Sequence, residues 1–435
     1  MRFAVISDTH FGDPASQLAA WNGAAGRAEL GSKYEEFKQA AGINDYLILL
    51  GDIFDLSISS YEQAYGVAKI FFKQIQADKI ARYMIYVPGN HDGDMWHFYE
   101  HQVNITMRIT GGRPPRNFRF SVPAIINGCK GTPAENVFTL HGVSTNPEYP
   151  DFGYGGIFLD SITRDLVNDK ITGTLLPFAF AYPNIYLVTD QESVLLTHGH
   201  YLEGYWSLLG EWVMKIAGED LAIGDALDLW EMVAINFPLN QLACTGVGQA
   251  GPLTSVIRDV QRQYKDGDLK RIKNYLDRLD NAIDELTPSR GLLDAREALT
   301  DAASNYIKKK IVENLESSTP TRYDEKFIHR KDTLDLFRGY FDCSLLEIDS
   351  IQSAGGPEIG TPRYVIFGHT HEPIPWGDPG APKTMSRAGR PVTLYNTGGW
   401  LNKLDKQSGQ THFCGAEVIV FDNSCPQPWT SHAIR

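Results

Sequence analysis

Five short clusters of Asp, Asn and His hold the residues of this chain that could do chemistry. Each follows an apolar run. Phe3-Ala4-Val5-Ile6 leads to Ser7-Asp8-Thr9-His10, and Tyr46-Leu47-Ile48-Leu49-Leu50 leads to Gly51-Asp52-Ile53-Phe54-Asp55. Tyr83-Met84-Ile85-Tyr86-Val87 leads to Pro88-Gly89-Asn90-His91-Asp92. Val194-Leu195-Leu196-Thr197 leads to His198-Gly199-His200, and Tyr364-Val365-Ile366-Phe367 to Gly368-His369-Thr370-His371. Together they offer Asp8, His10, Asp52, Asn90, His198, His369 and His371, an oxygen and nitrogen set without sulfur. Carboxylate, amide and imidazole donors suit Mn²⁺, Fe or Zn²⁺ better than Cu(I) or an iron–sulfur cluster. The set is too large for one ion and suits two divalent ions sharing a bridge. Two metals about 3.5–4 Å apart serve phosphoryl transfer, because they activate a water and hold the attacking and leaving oxygens.

The elements that must position these clusters are buried strands. Runs of four or five apolar, often β-branched or aromatic residues ending at Gly read as strands. Strands apolar on both faces suit a sheet covered by helices. Ligands of open α/β sheets sit just past the carboxyl ends of the strands, where all five clusters lie, so one edge of one sheet is expected to collect them. Helices are expected at Tyr34–Ala41 and at Tyr61–Ile80, where Tyr65, Ala68, Ile70, Phe71, Ile75 and Ile80 fall near a 3.6-residue period. Strand, helix, strand, helix, strand implies βαβ crossovers and a parallel or mixed sheet. Phe118–Ile126 and Val137–His141 read as strands, and Asn184–Val188 with Val194–Thr197 as a hairpin that delivers His198.

Residues 201–355 differ in character. Trp206–Ile216 and Ala226–Ile235 are apolar-rich helix candidates, and Leu253–Tyr264, Leu269–Leu286 and Leu292–Leu315 carry apolar stripes at helical spacing. The expected organisation is a core in two parts, 1–200 and 356–435, interrupted by a helical cap at 201–355. Residues 101–182 form a further insertion or lid.

The ordered pattern Asp8-x-His10, Gly51-Asp52-x-x-Asp55, Gly89-Asn90-His91-Asp92, His198 and Gly368-His369-x-His371 resembles the calcineurin-like metallophosphoesterase superfamily. The resemblance covers the strand-forming parts of 1–100, 184–200 and 361–400. It implies an α/β fold: a metallophosphoesterase-like layered β-sheet core with flanking helices and a large helical insertion. It further implies two divalent metal ions. Asp8, His10 and His371 would hold one, Asn90, His198 and His369 the other, and Asp52 would bridge them. A metal-bridging hydroxide would attack a phosphomonoester or phosphodiester in line. His91 and Asp92 complete the catalytic set. His91 would donate to the phosphate or protonate the leaving oxygen, while Asp92, with Asp55, would fix the orientation of the ligands. Asn396-Thr397-Gly398 resembles the Asn-x-Gly element that follows the last motif, with Asn396 in support.

The fourth motif has rivals. Leu140-His141-Gly142 has the same form as Thr197-His198-Gly199, and His200 lies two residues on. His198 is preferred because its strand has the longer apolar run and ends a hairpin. His200 would then face substrate or simply pack.

Composition narrows the function. A net charge of −13 disfavours a non-specific binder of nucleic acid or of membrane surfaces, and hence a nuclease of the same superfamily. Five scattered cysteines without a CxxC pair read as reduced thiols. With no signal-peptide pattern and no long apolar span, a cytoplasmic protein is expected. Lys308-Lys309-Lys310 reads as a solvated face. The Trp- and Leu-rich stretch 201–240 would either pack the cap or line a groove for a lipid-linked phosphate ester. Ser7-Asp8-Thr9-His10-Phe11-Gly12 has some likeness to UDP-diacylglucosamine pyrophosphohydrolases, which differ in length and insertions. A non-catalytic metal-binding scaffold is the alternative of another class; such a protein would be expected to have lost ligands, and here the set is full.

Overall fold

The computed structural model describes residues 1–132, 137–139, 156–167, 170–202, 228–247, 249, 274, 327–386, 388–404, 410–413 and 415–435. Two β-sheets stand face to face. The first runs Phe178–Phe180, Ala81–Val87, Asn44–Leu50, Arg2–Ile6, Ala416–Asp422, Trp429–Ile434. Its first four strands are mutually parallel, as the alternation of strand and helix implies, and the last two join antiparallel. The second runs Lys383–Met385, Pro391–Asn396, Tyr364–Phe367, Ser193–Thr197, Asn184–Val188, Ala124–Asn127, Val137–Thr139.

Both faces of the central strands are apolar because both are covered. Phe3, Val5, Ile48, Leu50, Ile85 and Val87 pack against Ile126, Ile185, Leu187, Leu196 and Ile366 between the sheets. The alternate residues Ala4, Ile6, Leu47 and Leu49 turn outward into a core shared with Phe37, Phe71 and Phe72 of two helices, Tyr34–Ala41 and Tyr61–Ala77. The second of these starts where Ser60 accepts the Gln63 amide at 3.2 Å and satisfies an otherwise unpaired N–H. It ends at Ala77 rather than Ile80, which instead leads into the next strand.

The outer face of the second sheet is covered by the 23-residue helix Lys331–Ser353. Its buried residues Phe337, Tyr340, Phe341, Ser344, Ile348 and Ile351 fall on one helical stripe. Phe337 meets Phe367 edge-on at 5.0 Å between ring centres. Although this helix falls within the span expected to form a cap, it is a layer of the core sandwich.

Of the helix candidates in 201–355, Ala226–Ile235 corresponds to the observed helix Leu229–Gln241, which begins where Asp228 and Glu231 form a reciprocal cap. Trp206–Ile216, Leu253–Tyr264, Leu269–Leu286, Leu292–Leu315, Lys308-Lys309-Lys310 and His141 lie outside the described residues. The strand expected at Phe118–Ile126 is confined to Ala124–Asn127, while Val122 forms only an isolated bridge to Tyr182. Among the described residues no helix is long and apolar enough to cross a membrane.

Candidate metal centre

The five clusters do not line one sheet. Strands Arg2–Ile6, Asn44–Leu50 and Ala81–Val87 carry three of them on the first sheet; Ser193–Thr197 and Tyr364–Phe367 carry two on the second. The single-edge expectation is therefore corrected: the carboxyl ends of both sheets meet at a seam, and the clusters converge there. The seam exists because the apolar faces between the sheets can be buried only by stacking them.

Two groups of ligand candidates form, beside a third, His10 with Asp55 and His91, that shares His10. Asp8, His10 and His371 bring their donor atoms within 4.8 Å of one another, and so do Asp52, His198 and His369. In the first, His371 Nε2 lies 3.2 Å from Asp8 Oδ1 and 3.1 Å from His10 Nε2. In the second, His198 Nε2 lies 3.2 Å from Asp52 Oδ2 and 3.2 Å from Asn90 Oδ1. Asp52 Oδ2 is also 3.8 Å from His10 Nε2, so this one carboxylate faces both groups.

The backbone is bent to achieve this. Among the described non-glycine residues only Asp8, His10, Asp52, Lys79, His369 and His371 have positive φ, between 48° and 68°. Five of these six are ligand candidates. This region costs an L-residue energy and persists where surrounding structure imposes it, which happens most often at functional sites. Hydrogen bonds impose it here. Asp8 N donates to Gly51 O at 2.9 Å, His10 N to Asp52 O at 2.9 Å, and His369 N to Asp8 Oδ2 at 2.9 Å. Gly51 and Gly89 are glycines because a methyl group at either would overlap the His198 ring or the Asp52 carboxylate.

A layer of partners orients the imidazoles. His198 Nδ1 faces Leu50 O at 2.9 Å, which directs Nε2 into the site. Asp55 sits 3.0 Å from both His10 Nδ1 and His91 Nδ1. Asp92 is wholly buried: Oδ1 accepts the Gly89 amide at 2.6 Å and the Asp52 amide at 3.3 Å, and Oδ2 accepts the Ile53 amide at 2.7 Å and the Tyr86 hydroxyl. With its oxygens turned to backbone amides, Asp92 ties the second loop to the third and does not face the open side. Asn396 Nδ2 donates to Gly368 O at 2.7 Å and to Thr370 Oγ1 at 3.1 Å, which pins the fifth loop. His200 packs behind His198, its ring 4.0 Å from that of Tyr201 and its Nε2 3.2 Å from Asn240 Nδ2.

Sequence reasoning passed over Ser7, Ser57 and Tyr86. Ser7 Oγ meets Asp8 Oδ2 and lies 2.5 Å from Thr397 Oγ1. Ser57 Oγ donates to Asp55 Oδ1 at 2.7 Å and lies 2.9 Å from His91 Nδ1. Adjacency to a motif was the only sequence signal for Ser7 and Ser57, and it is shared by many bystanders.

Electrostatics fit cations. Burial works against charge on Asp8 and Asp52, yet both carboxyls are held below the usual range, Asp8 chiefly by His10 and His371 and Asp52 by His198 and His91. Burial would discharge His198, but Asp52 and Asp8 hold it up at about 9; burial brings His371 down to about 4 against the pull of Asp8. Buried carboxylates that stay ionised, with imidazole nitrogens facing the same small volume, form the hard-to-borderline donor set that divalent first-row metals take. Two imidazole nitrogens 3.1 Å apart beside an aspartate oxygen can share one cation where they could share only one proton.

Fold and site together define an α/β phosphoesterase of the metal-dependent class. A calcineurin-like phosphoesterase family model matches residues 1–200, and this match supports the metallophosphoesterase superfamily. His369 and His371 lie beyond the matched span; pairing of Tyr364–Phe367 with Ser193–Thr197 brings them to the same seam. No curated protein matches the chain.

Proposed function

We propose that the chain hydrolyses a phosphomonoester or phosphodiester at a two-metal centre. Asp8, His10 and His371 would hold one divalent ion (Mn, Fe or Zn), and Asn90, His198 and His369 the other. Asp52 would be shared. The observation that carries this reading is the position of Asp52, with one oxygen 3.2 Å from His198 Nε2 and 3.8 Å from His10 Nε2. When bound, the two ions supply an activated water and neutralise charge on the phosphoryl oxygens.

The chain's own residues do the rest. His91 is the most open of the site histidines, with its side chain 33% exposed against 1% for His198. Its Nδ1 is engaged by Asp55 and Ser57, which leaves Nε2 to meet a phosphoryl or leaving-group oxygen. Its backbone N–H donates to Asp52 Oδ1 at 2.8 Å, so the proposed donor and the shared carboxylate move as one unit. His91 would deliver a proton to the departing oxygen, a role that needs a positioned nitrogen at the open side of the site.

The test is elemental analysis of protein purified without chelator, alongside Mn²⁺-supplemented hydrolysis of p-nitrophenyl phosphate and bis-p-nitrophenyl phosphate, with Asp52→Ala as control. About two metals per chain and activity lost in the variant are expected, and the preferred ester separates monoesterase from diesterase. Absence of both metal and turnover after Mn²⁺ is supplied would reject the reading in favour of a scaffold.

A further inference from the structure

We propose that Asn240, Cys244 and Gln249 form a brace, supplied by the inserted region, that sets the geometry of the Asp52–Asn90–His198 side of the centre. The inference rests on the metal-centre reading above. It assigns positioning roles to residues far from every motif.

The brace follows helix Leu229–Gln241 into the wide helical turn Leu242–Val247. Within ten residues it touches three of the motif-bearing loops. Gln249 Nε2 donates to Leu56 O at 3.2 Å and Ser59 O at 3.0 Å, just beyond Asp52 and Asp55. The Cys244 thiol donates to Asn90 O at 3.4 Å, and Thr245 shares the Asp94 carboxylate with the Tyr61 hydroxyl. Asn240 Nδ2 lies 3.2 Å from His200 Nε2 and 3.4 Å from the hydroxyls of Tyr182 and Tyr201, behind His198. The second, third and fourth loops are thus tied to one another through a segment that contributes no ligand candidate.

Burial separates this face from the substrate side. Asn90, His198, Asn240 and Cys244 are all buried, whereas His91 and His371 are partly exposed. Asn240 and Cys244, on this closed face, cannot contact substrate and act through the loops they hold; Gln249 is half-buried and acts through the two carbonyls it binds. Losing the thiol leaves the buried Asn90 carbonyl without that donor, and losing Gln249 frees two carbonyls of the second loop. Partners that orient ligands typically cost about 10–100-fold in metal affinity when removed.

The experiment is calorimetric titration of the metal-free full-length protein with Mn²⁺, for the wild type, Cys244→Ala, Gln249→Ala, the double variant and Cys244→Ser, with a thermal melt of each. The wild type is expected to take two ions. In Cys244→Ala, whose thiol touches the Asn90 loop, one binding constant should weaken about tenfold while the other stays within about twofold; the double variant, which also loses the hold on the loop of the shared Asp52, should weaken further. Cys244→Ser, which keeps a donor, should recover most of the loss attributable to Cys244. Because coupling is reciprocal, Mn²⁺ should also slow alkylation of Cys244, followed by peptide mass mapping, without changing the rate at exposed Cys425. Normal binding of two ions by every variant would overturn the brace alone. So would a parallel loss at both sites that tracks the melting temperature, or a Cys244 alkylation rate indifferent to Mn²⁺. A wild type that takes no ion would overturn the metal-centre reading itself.

Discussion

Asp55 Oδ1 lies 3.0 Å from His91 Nδ1, and the other oxygen of the same carboxylate lies 3.0 Å from His10 Nδ1. One buried aspartate therefore orients two imidazoles with different proposed tasks. His10 is a ligand candidate, and His91 is the candidate proton donor at the open side. Burial disfavours charge on Asp55, but the neighbouring His91 and His10 keep it well below the usual carboxylate range.

Asp55→Asn keeps the shape but cannot accept from both rings as a carboxylate does. Turnover should fall about 10–100-fold, the range for losing a partner that orients ligands. KM should change less than kcat, because Asp55 is buried and does not face the substrate. Steady-state kinetics with an aryl phosphate and Mn²⁺ titration of the variant would check this. Unchanged kcat would remove Asp55 from the account.

Two glycines should respond in opposite ways to the same substitution. Gly89→Ala places a methyl group against the Asp52 carboxylate and backbone nitrogen, so both activity and melting temperature should drop. Gly66 lies inside helix Tyr61–Ala77 with open space where a methyl group would go. Gly66→Ala should stabilise the fold by about 0.5–1 kcal/mol without affecting turnover. Denaturant midpoints and activity assays on the two variants decide the matter.

Glu347 predicts a pH dependence away from the metal centre. Burial raises its carboxyl pKa, partly opposed by hydrogen bonds from Ser121, Tyr186 and Asn184. A carboxyl whose pKa is higher folded than unfolded binds its proton more tightly in the folded state. Its contribution is favourable at low pH and is lost as pH rises from the unfolded value to the raised folded one. Glu347→Gln should remove that part of the decline. Denaturant midpoints of wild type and variant at pH 5 and pH 8 should differ more at pH 8 than at pH 5, in favour of the variant. Equal differences at both would refute the assignment.

Metal removal should destabilise the chain. The proposed ions would compensate the buried Asp8 and Asp52 carboxylates, and a ligand that binds only the folded state adds about 2.7 kcal/mol at a hundredfold excess over its Kd. The melting temperature should fall in EDTA and return with Mn²⁺. A melt insensitive to chelator, in protein shown to carry metal, would argue against ligation by these buried groups.

The candidate clusters were legible in the sequence because each is local: an apolar strand ends and polar residues follow within a few positions. The order of the clusters, the alternation of strand and helix over residues 1–100 and the hairpin before His198 were legible for the same reason. Helix Lys331–Ser353 was harder to place, since apolar residues at helical spacing describe a cap and a core layer equally well. Only the tertiary structure decided which cluster faces which. It divided the strands between two sheets because both faces of each central strand must be covered. It drew His369 and His371 toward His198 by pairing strands that lie far apart in the chain, and against Asp8 by stacking the two sheets. It also imposed positive φ on five ligand candidates and set Ser57 beside His91 and Cys244 beneath Asn90. Such non-local contacts have no period and no spacing, so residue identity carries the chemistry while their arrangement arises only when the sheets close on each other.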